Sequence, residues 1–311
     1  MRSTLIRVAK WAWLVCVVVA AAVVIVRSWD DIAVMLAGLS AWLLAVSLLL
    51  TLLAKLFLAE NARIAAVRCG IPLGYATAAR LYNLSQLGKY LPGSIWQFVG
   101  RAAAYRHRGA EYAQIRDSLL TESLWIIAGA ALTGILLTGP ELVEIIRGSL
   151  APAIAWWLGG LVAGVGAIAV ALAVYRRSAL IGYVRLAVPP WRAVIAQAAI
   201  WILLGLAFWV LLAASGVQAG VWFSVGLFGA AYAVGFLVPF APAGLGVRDG
   251  ILTLGLLPFA PMAEALAVTL LARVVYLVAD LALALGPEAV LVLAGRRPVP
   301  GGDDDQCPKS L

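Results

Sequence analysis

Gly88-Lys89-Tyr90-Leu91-Pro92-Gly93-Ser94-Ile95-Trp96-Gln97-Phe98-Val99-Gly100-Arg101 lies inside a segment, Tyr75 to Arg108, that is too polar for an ordinary membrane span and too apolar for a free loop. Pro92 removes a backbone donor and disfavours helical geometry at Leu91, so the Pro92-Gly93 pair interrupts a helix. A second break reads Pro239-Phe240-Ala241-Pro242-Ala243-Gly244-Leu245-Gly246-Val247-Arg248-Asp249. Each is followed by an arginine. In lipid, irregular backbone is tolerated only where it packs inside protein or lines a wet cavity, so the two breaks point to a place for a polar group.

The rest of the chain supplies the lipid context. Its 311 residues are 64% hydrophobic and 12% charged, with a mean hydropathy of +1.00, well outside the range of soluble domains. One membrane domain is expected over 1–295, with no room for a soluble catalytic domain of ordinary size. The tail 296–311, with Pro298, Pro300, Gly301, Gly302 and Asp303 to Asp305, is expected to be disordered. Cys16, Cys69 and Cys307 lack C-x-x-C spacing and a nearby histidine cluster, so neither a disulfide framework nor a metal is implied, and no cofactor is expected. The net charge of +8 resides in loops between apolar segments, which argues for topology control and against nucleic acid.

Apolar stretches at 11–26, 33–58, 118–138, 152–175, 194–214, 221–238 and 262–285 carry no strand-like alternation. The expected fold is all-α, a polytopic helical bundle of about 7–8 spans with two interrupted or re-entrant segments. Arg2, Arg7 and Lys10 ahead of the first span place the N terminus in the cytoplasm, and the same rule brings both breaks in from the cytoplasmic side. Seven spans would leave the C terminus outside, against the preference of Arg296 and Arg297. Either 243–260 contains an additional short crossing or 262–294 bends back on itself.

Polar residues concentrate at the breaks. Arg80, Asn83, Gln86 and Lys89 recur every three residues on one flank of a helix. Beyond the break, Gln97 and Arg101 begin a second stripe, and Ser94 is placed to cap freed amides. A helix N-terminus beside Lys89 and Arg101 suits a phosphate; the alternative is an amphipathic helix lying on the interface. At the second break, Gly244 and Gly246 permit unusual backbone beside Arg248 and Asp249. In the last span Arg273, Tyr276 and Asp280 share one side, and Asp280, Asp249 and Glu122 are all candidate partners for Arg273. Lys55, Glu60 and Arg63 read as snorkelling residues at the end of the second span. His107 reads as a loop residue.

The two break motifs, Gly88 to Arg101 and Pro242 to Asp249, resemble the lysylphosphatidylglycerol synthase transmembrane region, a family of flippase-like membrane domains, over about residues 5–295. Pro92, Gly93, Arg101, Gly244, Gly246 and Arg248 are the matching positions, and Asp249 stands where relatives often carry Glu. The resemblance implies translocation or binding of an anionic phospholipid or polyprenyl-linked head group in a cell membrane, without aminoacyl transfer. Lys89, Arg101, Arg248 and Arg273 would meet phosphate, while Asn83, Gln86, Ser94, Gln97, Glu122, Asp249, Tyr276 and Asp280 would orient them or bind the rest of the head group. Two alternatives stay open: a membrane glycosyltransferase or lipid-modifying enzyme using Glu122, Asp249 or Asp280 as base, and a non-catalytic membrane partner of such an enzyme.

Overall fold

The computed structural model describes Val26, Trp29, Asp30, Ala33, 37–90, 95–149, 186–237 and 246–293. The expected spans at 11–26 and 152–175, the break residues Pro92, Gly93, Ser94, Pro242 and Gly244, and the tail 296–311 lie outside the described residues, apart from Val26 itself.

Eight α-helices with defined bounds make up this part of the chain: α1 Ala41–Arg68, α2 Tyr75–Gln86, α3 Trp96–His107, α4 Tyr112–Ser149, α5 Trp191–Ala214, α6 Val221–Leu237, α7 Val247–Leu256 and α8 Met262–Leu293, with a 3-10 turn at Leu87–Tyr90. The described residues include no strand. Four helices, α1, α4, α5 and α8, contain stretches long and apolar enough to cross a membrane, and α6 is a shorter apolar helix. Only helices that satisfy their own backbone groups can do so in hydrocarbon.

Small residues let these helices approach closely. Ala54, Ala59, Ala62, Ala65 and Ala66 are fully buried along α1. A methyl group added at Gly134 of α4 would lie 2.8 Å from the backbone nitrogen of Ala230, and one at Gly229 of α6 would lie 2.8 Å from the carbonyl oxygen of Ala130. The α4–α6 crossing is therefore a backbone-to-backbone contact, the packing mode of membrane helices that gain little from hydrophobic exclusion. Polar cross-links add register: Ser47 donates to the Ala207 carbonyl at 2.9 Å and Gln197 to Asn61 at 3.0 Å, which sets α1 antiparallel to α5.

The C-terminal third folds back along α6. Gly235 of α6 faces Arg248 of α7, Leu227 faces Gly255, and Phe223 packs against Phe259 with tilted rings whose centres are 5.2 Å apart. Running along α6 in that order, α7 and the turn after it return from its C-terminal end to its N-terminal end. Thr253 then pairs with Thr269 at 3.4 Å and Asp249 with Arg273 at 2.6 Å, so α8 runs back beside α7. The 247–260 segment is a short helix and turn packed antiparallel to α6, and α8 is continuous through 262–293 rather than bent. At ten residues, α7 is about 15 Å long, half a hydrocarbon core.

α2, the 3-10 turn and α3 form a hairpin whose open end is tied by an apolar cluster of Ala66, Ile71, Ala78, Tyr105, Ala110 and Ile115. Its closed end points into the bundle, where Gly88 packs directly on the backbone of Trp96 and Gln97. Arg68, Arg106, Arg108, Arg116 and Arg192 mark the face at which this hairpin opens. On the opposite face the 215–220 and 257–261 connectors carry no lysine or arginine, and Arg147 at the end of α4 is accompanied by Glu141 and Glu144.

Candidate functional site

The tip of the hairpin, α1, α7 and α8 converge on two carboxylates. Asp280 of α8 accepts from Lys55 Nζ at 2.7 Å on one oxygen, and on the other meets Lys89 Nζ at 2.6 Å and the Tyr90 hydroxyl at 2.7 Å. Lys55 and Asp280 are each 2% exposed. Burial and the adjacent carboxylate of Asp280 push the Tyr90 phenol well up, so it remains a donor. Burial likewise pushes the Lys89 ammonium below its ordinary value while Asp280 opposes the shift.

Asp249 is held differently. Arg273 donates Nε to one carboxylate oxygen at 2.6 Å and Nη2 to the other at 2.7 Å, a bidentate pair. The second oxygen also accepts the Gly246 N–H at 3.0 Å, capping the start of α7. Gly246 has φ of 82°, a left-handed conformation that a side chain would strain. Both oxygens of Asp249 are thus occupied. Its position is fixed by the helix it caps and by the neighbouring helix α8.

Arg248, one residue earlier, projects the other way and is 7% exposed. Its Nε has no hydrogen-bond partner among the described residues. Its guanidinium lies 4.7 Å from the ring centre of Phe228, 5.9 Å from that of Tyr232 and 5.2 Å from that of Tyr276. Tyr276 is the hub of the cluster: Lys55 Nζ sits 3.5 Å and Lys89 Nζ 4.8 Å from the same ring centre. Ring faces attract cations but supply no counter-charge. Among the described residues the cluster holds four cations, Lys55, Lys89, Arg248 and Arg273, against two carboxylates, Asp249 and Asp280.

Arg101 and Glu122 form a separate ion pair, in which Arg101 Nε, like that of Arg248, has no hydrogen-bond partner among the described residues. They are 2.6 Å apart and 1% and 2% exposed, with the Arg101 guanidinium 4.9 Å from the centre of the Tyr82 ring. Glu122, one of three expected candidates for Arg273, is engaged by Arg101, and Asp249 takes Arg273 instead. A third polar group, Asn61, Gln197 and Trp201, lies between α1 and α5, with Trp201 donating to Gln197 at 3.0 Å.

Six residues singled out in the sequence, Lys89, Arg248, Asp249, Arg273, Tyr276 and Asp280, therefore come together. Gln86 is 3.4 Å from Lys89 at the tip, Asn83 is buried on α2, and Gln97 starts α3 against Gly88. Lys55 is the member that sequence reasoning missed. It does not snorkel, because α1 continues to Arg68 and leaves Lys55 in mid-helix. The alanine-rich face that continues through Ala59, Ala62 and Ala66 was the available signal. Among the described residues no three His, Cys, Asp or Glu side chains converge as a metal site.

Helices long and apolar enough to cross a membrane, around a buried, cation-rich cluster reached by a helical hairpin and the short helix α7, define an integral membrane protein with a polar interior site. The family model described as the lysylphosphatidylglycerol synthase TM region matches residues 12–284, and the chain belongs to that family. It is a membrane domain of a lipid-related family. A comparison with curated proteins gave no match.

Proposed function

We propose that the protein binds the anionic head group of a membrane lipid, a phospholipid or a polyprenyl-linked lipid, in the cluster around Tyr276 and carries it between leaflets. The observation that carries this reading is Arg248: buried, without a hydrogen bond at Nε among the described residues, and facing a cluster with more cations than carboxylates. A buried cation is costly unless paired, and intramembrane charges of this kind accompany substrate pathways. A phosphate beside Arg248 and Lys89 supplies the missing pairing, with the guanidinium fork matching two phosphate oxygens. Asp249 and Arg273 act by holding α7, and Arg101 and Glu122 by pinning the hairpin to α4. Movement of the lipid would use rocking of the hairpin and α7 against the longer helices.

In this account the protein resides in the cell membrane. The arginine-lined face and the N terminus are cytoplasmic by the positive-inside rule, and a lipid-processing enzyme is a candidate partner. Reconstitution into liposomes with a labelled anionic lipid tests the reading. Protein-dependent movement of unaltered lipid is expected, falling at least about tenfold in Arg248→Ala, consistent with loss of a charged hydrogen bond of about 1.5–3 kcal/mol. A covalently altered lipid, or unimpaired movement by the variant, would overturn it.

A further inference from the structure

We infer that the cluster around Tyr276 takes a head group bearing two negative charges, a phosphomonoester or a diphosphate, in preference to the single charge of a phosphodiester. The inference rests on the head-group reading above and specifies its chemistry. Among the described residues, two cationic charges remain after the two carboxylates are assigned. Arg273 and Asp249 neutralise one another through a bidentate pair, and the Gly246 amide shares the same carboxylate, so the charge of Asp249 is assigned to Arg273 rather than to Arg248. Asp280 is shared by two ammonium groups and neutralises one of them. The surplus is therefore located: one charge on Arg248 and one on the Lys55 and Lys89 pair.

Both parts of the surplus address one place. Lys55, Lys89 and Arg248 surround a single tyrosine ring at 3.5, 4.8 and 5.2 Å from its centre, close enough for one head group to reach all three. Lys55 and Arg248 are buried, so water screens neither well. A phosphodiester would leave one of the two charges unmatched. A phosphomonoester carries about −1.5 to −2 at neutral pH, and a diphosphate ester carries at least as much. The chemistry of the site also divides in two, since an arginine fork grips a pair of oxygens and lysine acts as a point charge.

The test measures binding of three lipids to the full chain in phosphatidylcholine nanodiscs: dioleoyl phosphatidylglycerol, dioleoyl phosphatidic acid and farnesyl diphosphate. The last two are expected to bind at least about tenfold more tightly than the first, a difference of 1.4 kcal/mol. Tighter binding of phosphatidic acid alone assigns a monoester, and of farnesyl diphosphate alone a diphosphate. Lys55→Met and, from the hairpin tip, Lys89→Gln each lower the surplus to one charge, and each should shrink the ratio of dianion to phosphatidylglycerol affinity toward one. The two variants approach the same charge from different helices, so instability of either leaves the other as the test. Equal affinity for all three lipids, or a ratio unchanged in the lysine variants, overturns the inference and leaves the head-group reading standing. Binding of none of them overturns both.

Discussion

Replacing Asp280 by asparagine keeps the shape of the side chain and removes the charge on which Lys55, Lys89 and Tyr90 converge. Lys55 is 2% exposed, so it cannot recover hydration without moving α1 away from α8. Breaking a buried ion pair by removing one partner costs about 3–5 kcal/mol. A second ammonium on the same carboxylate puts this case toward the upper end, and the amide nitrogen of asparagine would face a donor where an oxygen accepted. For a chain of this size, at roughly 2 °C per kcal/mol, the midpoint of thermal unfolding should fall by about 6–10 °C. Unfolding followed in detergent by tryptophan fluorescence reads the shift. The triple variant Lys55→Met, Lys89→Met and Asp280→Leu should recover much of the loss, because apolar replacement of the carboxylate and both ammonium groups leaves no unpaired charge behind. An Asp280→Asn protein that melts with the wild type would refute the reasoning, as would a triple variant no more stable than the single one.

Three further outcomes follow from the same geometry. Gly246→Ala places a side chain at φ of 82° and should destabilise α7 by about 1–2 kcal/mol, seen as faster amide exchange at 247–256. Gly229→Leu should separate α4 from α6, whose backbones meet at Ala130, and lower the unfolding midpoint by an amount corresponding to about 1–3 kcal/mol or more. Glu122→Gln leaves the buried Arg101 without its countercharge and should cost about 3–5 kcal/mol, whereas Arg101→Met with Glu122→Leu together should cost much less, a double-mutant cycle that reads the pair directly.

Much of the fold was legible because membrane solvation writes itself into composition: apolar runs long enough to cross gave the helices, and the charge conflict at the C terminus marked 243–294 as the part whose path hydropathy alone left open between two arrangements. The Arg273, Tyr276 and Asp280 face was readable because helical spacing alone puts them on one side. Partner choice was not. Asp249 and Glu122 are equivalent acids in a sequence, and only the antiparallel return of α7 beside α8 gives Arg273 to Asp249. Lys55 was misread for a related reason. Glu60, Asn61 and Arg63 end the apolar run, so the helix looked finished at 58, yet Asn61 Oδ1 accepts from Gln197 across the bundle and Arg63 pairs with Glu60 at 2.6 Å, which lets α1 continue. The lone charge near an apparent helix end was in mid-helix, and its partner lies 225 residues away.

The most direct measurement of the central claim is an experimental structure of the protein with phosphatidic acid or a prenyl diphosphate. The account predicts phosphate oxygens within about 3 Å of Arg248 and Lys89, beside the Tyr276 ring. A phosphate bound only at the rim, against Arg106 or Arg108 and with the Tyr276 cluster closed on itself, would contradict it.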